Sequence, residues 1–134
     1  MSPANDSTIF HLMQLSGTSL LNAEYRDFQF APHYHEELAI GVIQKGKLNV
    51  QIGKHSRMTL SPGHIVVINP GEIHEGFTDG NEGCFYRMFY LPAELLGKVT
   101  GTYNDHFPNF VTCAIDDFAA AKQLSWLHRN LTTP

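Results

Sequence analysis

Turn-forming residues divide most of this chain into pieces too short for anything but strands. Between Thr8 and Tyr90, Lys45-Gly46, Gly53-Lys54, Ser61-Pro62-Gly63, Asn69-Pro70-Gly71 and Asp79-Gly80-Asn81 recur at short intervals. Each favours a backbone geometry that ends an extended segment. The stretches between them have β character. Leu48-Asn49-Val50-Gln51-Ile52 alternates apolar with polar, as a strand with one face in a core does. Ile65-Val66-Val67-Ile68 is apolar throughout and suits a strand buried on both faces. Many short antiparallel strands imply a mainly β sandwich or barrel.

The 134 residues fit one domain with a core large enough to fold alone. Hydrophobic residues make up 43% and charged residues 16%, which places the chain among globular rather than disordered sequences. No apolar run approaches the ~20 residues that span a bilayer, so no membrane partner is expected. Met1-Ser2-Pro3-Ala4-Asn5-Asp6 carries neither the basic nor the apolar stretch of a secretory signal, and a cytoplasmic location is the expectation. The formal charge of -4 gives this segment no electrostatic reason to seek DNA by itself. Cys84 and Cys113 stand in apolar surroundings without metal-ligand spacing and read as reduced core thiols.

Composition changes after Leu91. Pro92-Ala93-Glu94-Leu95-Leu96 can start a short helix that Gly97 and Gly101 weaken, and a loop is expected from Tyr103 to Pro108. Asp116 and Asp117 both suit a helix N-cap. Phe118, Ala121, Leu124, Leu127 and Leu131 follow at the three- and four-residue spacings of an amphipathic helix of roughly four turns. The chain stops directly after that helix, where a further domain is expected to follow.

Chemistry concentrates in His33-Tyr34-His35 and in Asn69-Pro70-Gly71-Glu72-Ile73-His74. Side chains two apart in a strand share a face, so His33 and His35 point together, and the Pro-Gly turn can deliver His74 from a neighbouring strand. Three imidazoles gathered in this way suit either a divalent metal or a metal-free pocket that uses them as hydrogen-bond partners. A carboxylate usually completes such a metal set, but Ala39 stands four residues past His35. Glu37 shares the histidines' parity yet lies roughly 13 Å along an ideal strand from His33, so it joins them only through a bulge.

Arg87 interrupts the aromatic strand Phe85-Tyr86-Arg87-Met88-Phe89-Tyr90. Facing inward, its guanidinium would grip a ligand carboxylate; otherwise it faces solvent or pairs with Glu72 or Glu75. Tyr86, Tyr90 and Trp126 can line a pocket or an interface, with simple packing the default expectation. His11, His55, His64, His106 and His128 have no convergent partners in the sequence and are expected to be largely solvated. Neither a GxSxG elbow nor a phosphate-binding glycine loop occurs, which argues against nucleophilic and nucleotide chemistry.

Phe30-Ala31-Pro32-His33-Tyr34-His35-Glu36, Gly41-Val42-Ile43, Gly46, Ser61-Pro62-Gly63, the run from Asn69 to Gly76, and Tyr86 to Tyr90 follow one another in an order that resembles the cupin-like N-terminal sensor domain of AraC-family transcription regulators. The resemblance runs from about Leu20 through the tail helix. It implies a double-stranded β-helix barrel (jelly roll) with C-terminal α-helices: residues 1–92 as an effector-binding barrel with an N-terminal arm, and 93–134 as a helical tail. Also implied are a small effector, polar by expectation, and a homodimer formed through Leu124, Leu127 and Leu131; the residues themselves offer that effector His33, His35, His74, Arg87 and, less directly, Glu37. DNA would be bound only through a helix-turn-helix domain beyond this chain. His33, His35 and His74 match the metal-site histidines of the family, so Zn, Ni, Mn or Fe is a candidate cofactor.

Ala39 departs from the glutamate that cupin enzymes carry, and the expectation is a non-enzymatic sensor. Effector entry would order the arm before Leu20 or shift the tail helices. The rival is a stand-alone metal-dependent cupin enzyme of isomerase or dioxygenase type; a metabolite-binding module without regulation ranks third.

Overall fold

In the computed structural model, which describes residues 6–13, 15, 17–79, 82–101 and 109–133, the strands pair into two antiparallel sheets. The chain runs through β1 (Asp6–His11), β2 (Ser19–Tyr25), β3 (Gln29–His33), β4 (Leu38–Gly46), β5 (Leu48–Ile52), β6 (Met58–Leu60), β7 (His64–Ile68), β8 (His74–Phe77) and β9 (Cys84–Leu91). It then forms α1 (Ala93–Thr100), β10 (Ala114–Asp116) and α2 (Phe118–Thr132). One sheet has the order β1-β2-β9-β4-β7-β10 and the other β3-β8-β5-β6.

The two sheets face each other across a core. Leu48, Val50, Ile52 and Leu60 from the smaller sheet meet Leu21, Ala39, Val66, Ile68, Tyr86 and Met88 from the larger. The larger sheet has a second apolar face. Strand alternation turns Leu38 and Val42 of β4 and Ile65 and Val67 of β7 outward, where Ala121 of α2 covers them. Thus Ile65–Ile68 is buried on both sides, as its unbroken apolar run requires.

Helix α2 is capped as its sequence suggests: the Asp117 carboxylate accepts the Ala120 N–H at 3.0 Å. Asp116 instead closes β10, opposite His64. Helix α1 continues through Gly97 and stops at Gly101, whose φ of 76° reverses the chain. Cys84 and Cys113 are buried and unpaired, and burial pushes the Cys84 thiol up to about 12.

Several expectations need correction. Residues 6–11 are an edge strand paired along its length with β2, rather than a free arm. Leu124 turns toward the barrel and packs against the outer cluster, because it lies on the same helical stripe as Ala121. Leu127 and Leu131 are each 42% exposed. Trp126 is exposed rather than packed. The expected loop from Tyr103 to Pro108, Gly80-Asn81 and His106 lie outside the described residues.

Gly46 ends β4 with a φ of 78°, and a Cβ there would collide with the Gly83 carbonyl oxygen. Both conditions exclude a side chain. Gly46→Ala is therefore expected to cost more than ~1 kcal/mol of folding free energy. Urea unfolding should show a lowered midpoint at an unchanged slope, and an unmoved midpoint would refute this packing.

Candidate metal and ligand site

One hydrogen bond joins the two histidine segments, and a second ties the His74 segment to the end of β5. The Gly71 N–H donates to the His35 carbonyl at 2.7 Å, and the Gly53 N–H donates to the Ile73 carbonyl at 2.7 Å. Between them Asn69-Pro70-Gly71-Glu72 makes a tight turn, with the Glu72 N–H on the Asn69 carbonyl at 3.1 Å and Gly71 at a φ of 78°. Glu72 returns a carboxylate oxygen to the Asn69 N–H at 3.2 Å. The Asn69 side chain bonds both backbone groups of Phe110, each at 2.9 Å. The turn that presents His74 is thereby fixed at both ends.

The three expected imidazoles converge. The ligand-capable atoms of His33, His35 and His74 lie within 4.8 Å of one another. Their ring centroids are 4.9 Å apart for His33 and His35, 4.2 Å for His33 and His74, and 4.8 Å for His35 and His74. A register shift between Phe30 and His33 sets His33 opposite His74 across the β3–β8 pair. Burial runs from exposed His33 through half-buried His35 to His74, which is 6% exposed.

Two of the rings have a defined tautomer. His33 Nδ1 lies 2.9 Å from the Ala31 carbonyl and His74 Nδ1 lies 3.0 Å from the Glu72 carbonyl. A carbonyl only accepts, so both Nδ1 atoms carry the proton, and in the neutral form of each ring the lone pair is on Nε2. Burial draws the His74 pKa down to about 4, against the pull of the Glu72 carbonyl and with further lowering from His33 and His35. Burial also lowers His35, as does His33, while Glu37 opposes the shift. A neutral imidazole is the form that ligates a metal, and with His33 and His74 each held by a backbone acceptor the three rings together can hold one. Among the described residues no carboxylate joins the cluster; Glu37 acts on His35 only through its charge.

Behind the histidines lies a cavity of about 240 Å³. Leu21, Leu48, Val50, Ile52, Leu60, Val66, Ile68 and Met88 line it with aliphatic surface, and Tyr25, Phe28, Phe30, Tyr86 and Tyr90 add aromatic surface. Its walls are more apolar than a small polar effector leads one to expect.

Arg87 is not part of this cavity. On β9 it alternates with Tyr86 and Met88, which point inward, so its side chain lies on the outer face beneath α2. There it donates to Asn22 Oδ1 at 2.8 Å and to Gln44 Oε1 at 3.4 Å, and lies 3.4 Å from His128 Nδ1. Neither Glu72 nor Glu75 pairs with it; Glu72 instead lies 3.9 Å from His55.

His128, expected to be solvated, is 0% exposed. Its Nε2 lies 3.0 Å from the Met88 carbonyl, on the strand whose inner face walls the cavity. The sequence held a signal for this, since His128 shares the helical stripe of Ala121 and Leu124.

Residues 16–134 match the AraC-like ligand binding domain family. The chain belongs to that family. By sequence, no curated protein matches it. Solved structures agree on the fold of this AraC-like domain. An RmlC-like cupin with a double-stranded β-helix fold from Methanocaldococcus jannaschii is similar at a TM-score of 0.56 and 14% identity, over 66% of this chain and 83% of that one. KdgF from Halomonas sp. is similar at a TM-score of 0.54 and 21% identity, over 66% and 82%. Oxalate decarboxylase from Bacillus subtilis, described for its Mn(II) centres, is similar at a TM-score of 0.57 and 12% identity over 75% of this chain. The AraC-like domain spans 34% of that enzyme's chain. The architecture is accordingly a mainly β double-stranded β-helix with two C-terminal helices. Among the described residues no helix is long and apolar enough to cross a membrane.

Acid should loosen this domain in a defined window. Burial holds His128 down to about 4, with Arg87 lowering it further and the Met88 and Leu21 carbonyls opposing. In the unfolded chain it titrates near ~6.5. Between those values the unfolded state binds a proton that the folded state refuses, so stability falls as pH drops from about 6.5 toward 4, by on the order of 3 kcal/mol for His128 alone. His128→Gln should flatten that slope in denaturant titrations at stepped pH, and an unchanged slope would contradict the buried neutral imidazole.

Proposed function

We propose that this chain is the effector-sensing and dimerisation part of an AraC-type transcription regulator. On this reading a small molecule enters the barrel and controls DNA binding by a helix-turn-helix domain elsewhere in the protein. The observation that carries the proposal is the apolar cavity of about 240 Å³ with three imidazoles at its mouth, in a chain of the AraC-like ligand binding family. An apolar cavity of ~150 Å³ already takes up benzene, and drug-sized pockets begin near ~300 Å³. The effector is therefore compact, with an apolar body and a polar end toward the histidines.

His33, His35 and His74 would hold a divalent metal through nitrogen. Three neutral imidazoles without a carboxylate suit Zn or Ni, and Fe next, better than Mn, which prefers oxygen donors. Such an ion supplies a Lewis-acid position for the polar end of the effector. The chain's own residues orient that ion's ligands through the Ala31 and Glu72 carbonyls and exclude water behind them with aliphatic wall. Glu37 would tune His35 by charge rather than ligate.

Exposed Leu127 and Leu131, one turn apart on α2, support homodimer contacts, whereas Leu124 is occupied in holding α2 to the barrel. A cytoplasmic location goes with a DNA-regulating role. The enzyme reading draws support from the histidine cluster and from metal-containing cupins of similar fold. Against it stands a set of ligands lacking the carboxylate, in a chamber whose other titratable groups among the described residues are three tyrosines and Glu75.

The test uses the intact gene product purified from its source cell. Mobility shift on the DNA upstream of its own gene, with and without a low-molecular-weight extract of that cell, should show a complex whose affinity changes with the extract. A product that binds no DNA under either condition overturns the regulator, and turnover of an extract component by the metal-loaded protein would put an enzyme in its place.

A further inference from the structure

Three phenols share the cavity with the imidazoles, and among the described residues their hydroxyls make no hydrogen bond. Tyr25 of β2 and Tyr86 and Tyr90 of β9 all line the chamber. The Tyr25 and Tyr86 rings are 6.0 Å apart, and Tyr90 lies 5.1 Å from His35. Tyr86 is 8% exposed. Its hydroxyl is not among the sealed polar atoms, and no hydrogen bond to it forms among the described residues. Tyr86 lines the chamber, and its hydroxyl keeps accessible surface, so it is a donor available to a ligand. A tyrosine hydroxyl in an otherwise apolar wall usually has an acceptor. Nothing in the packing requires a hydroxyl here, since phenylalanine would fill the same wall.

The charge inventory narrows what the acceptor is. Around the cavity the titratable groups are the three histidines, the three tyrosines and Glu75 at the mouth, with Glu37 nearby. Arg87 faces the opposite side of the sheet. Burial, with the neighbouring Tyr25, raises both Tyr86 and Tyr90, Tyr90 to about 12 with Glu37 adding to it, so these two phenols remain neutral donors. Among the described residues no lysine or arginine lines the chamber, so away from the histidine cluster a buried anion would have no cation beside it and is penalised.

We propose that Tyr25, Tyr86 and Tyr90 form a specificity subsite that hydrogen-bonds the uncharged carbonyl or hydroxyl oxygen of a compact, otherwise apolar ligand. The subsite rests on the reading of this chamber as a ligand pocket and gives that ligand a chemical class. Its polar end toward the histidines is then one of two contacts, and the phenols read the other.

Acetophenone and ethylbenzene, alike in shape and different by one oxygen, serve as probes on protein freed of metal with EDTA. Their affinities are followed by NMR at the Met88 methyl. One hydrogen bond is worth about three- to tenfold in affinity. The ratio of acetophenone to ethylbenzene affinity should fall by that factor in Tyr86→Phe, and likewise in the more exposed Tyr25→Phe if the first variant folds poorly, with ethylbenzene affinity unchanged. Benzoate should bind more weakly than acetophenone. An unchanged ratio, with both probes still binding, overturns the subsite and leaves the pocket standing. Benzoate binding tighter than acetophenone overturns the uncharged class. Binding of neither probe removes the pocket itself.

Discussion

Strand β9 has no face to spare. Its neighbours β2 and β4 pair with it along its length, so its side chains alternate between the cavity and the underside of α2. Tyr86 and Met88 wall the chamber, while Arg87 and Phe89 meet α2. Because one backbone serves both surfaces, the Met88 carbonyl that seats His128 belongs to a residue whose side chain touches whatever fills the cavity. Helix α2 and the ligand chamber are two sides of a single strand.

That arrangement explains why polar groups tolerate such deep burial beneath α2. Arg87 spreads its donors over Asn22 and Gln44, and the Ser125 hydroxyl donates to the same Gln44 oxygen at 2.6 Å. The guanidinium thus has acceptors without any carboxylate, and burial beside Arg129 holds its pKa below the usual range. A satisfied polar network of this kind fixes the helix in one orientation more than it adds net stability. Across the sheet the chemistry is reversed, since the chamber offers imidazole lone pairs and phenol donors in an aliphatic lining.

Much of this was legible in the sequence, and the misses share a cause. The two histidine motifs announced their convergence because strand parity and a Pro-Gly turn are local properties. The apolar run Ile65–Ile68 announced a strand covered on both sides, and Asp117 announced the start of α2. What parity cannot supply is which face of a doubly buried strand looks inward, and so Arg87 could be assigned to either side. His128 looked solvated because its partners, Met88 and Arg87, are about forty positions away in the chain. Tyr86 and Tyr90 had packing as their default reading, and Tyr25 drew none, because aromatic composition alone does not reveal which rings line a chamber. Leu124 and Leu127 lie on adjacent stripes of one helix, and only the position of the barrel separates the covered leucine from the exposed one.

His33, His35 and His74 form one cluster in which Nε2 of His33 and His74 faces no backbone acceptor and is the atom left to ligate. Imidazole ¹⁵N NMR during titration with Zn²⁺ at neutral pH reads this out. Before metal, His33 and His74 should be Nδ1–H tautomers, and one equivalent should shift nitrogens of all three rings together while those Nδ1 protons stay in place. Nε2–H tautomers at His33 and His74, protonated rings, or shifts that spread over many equivalents without saturating would contradict it.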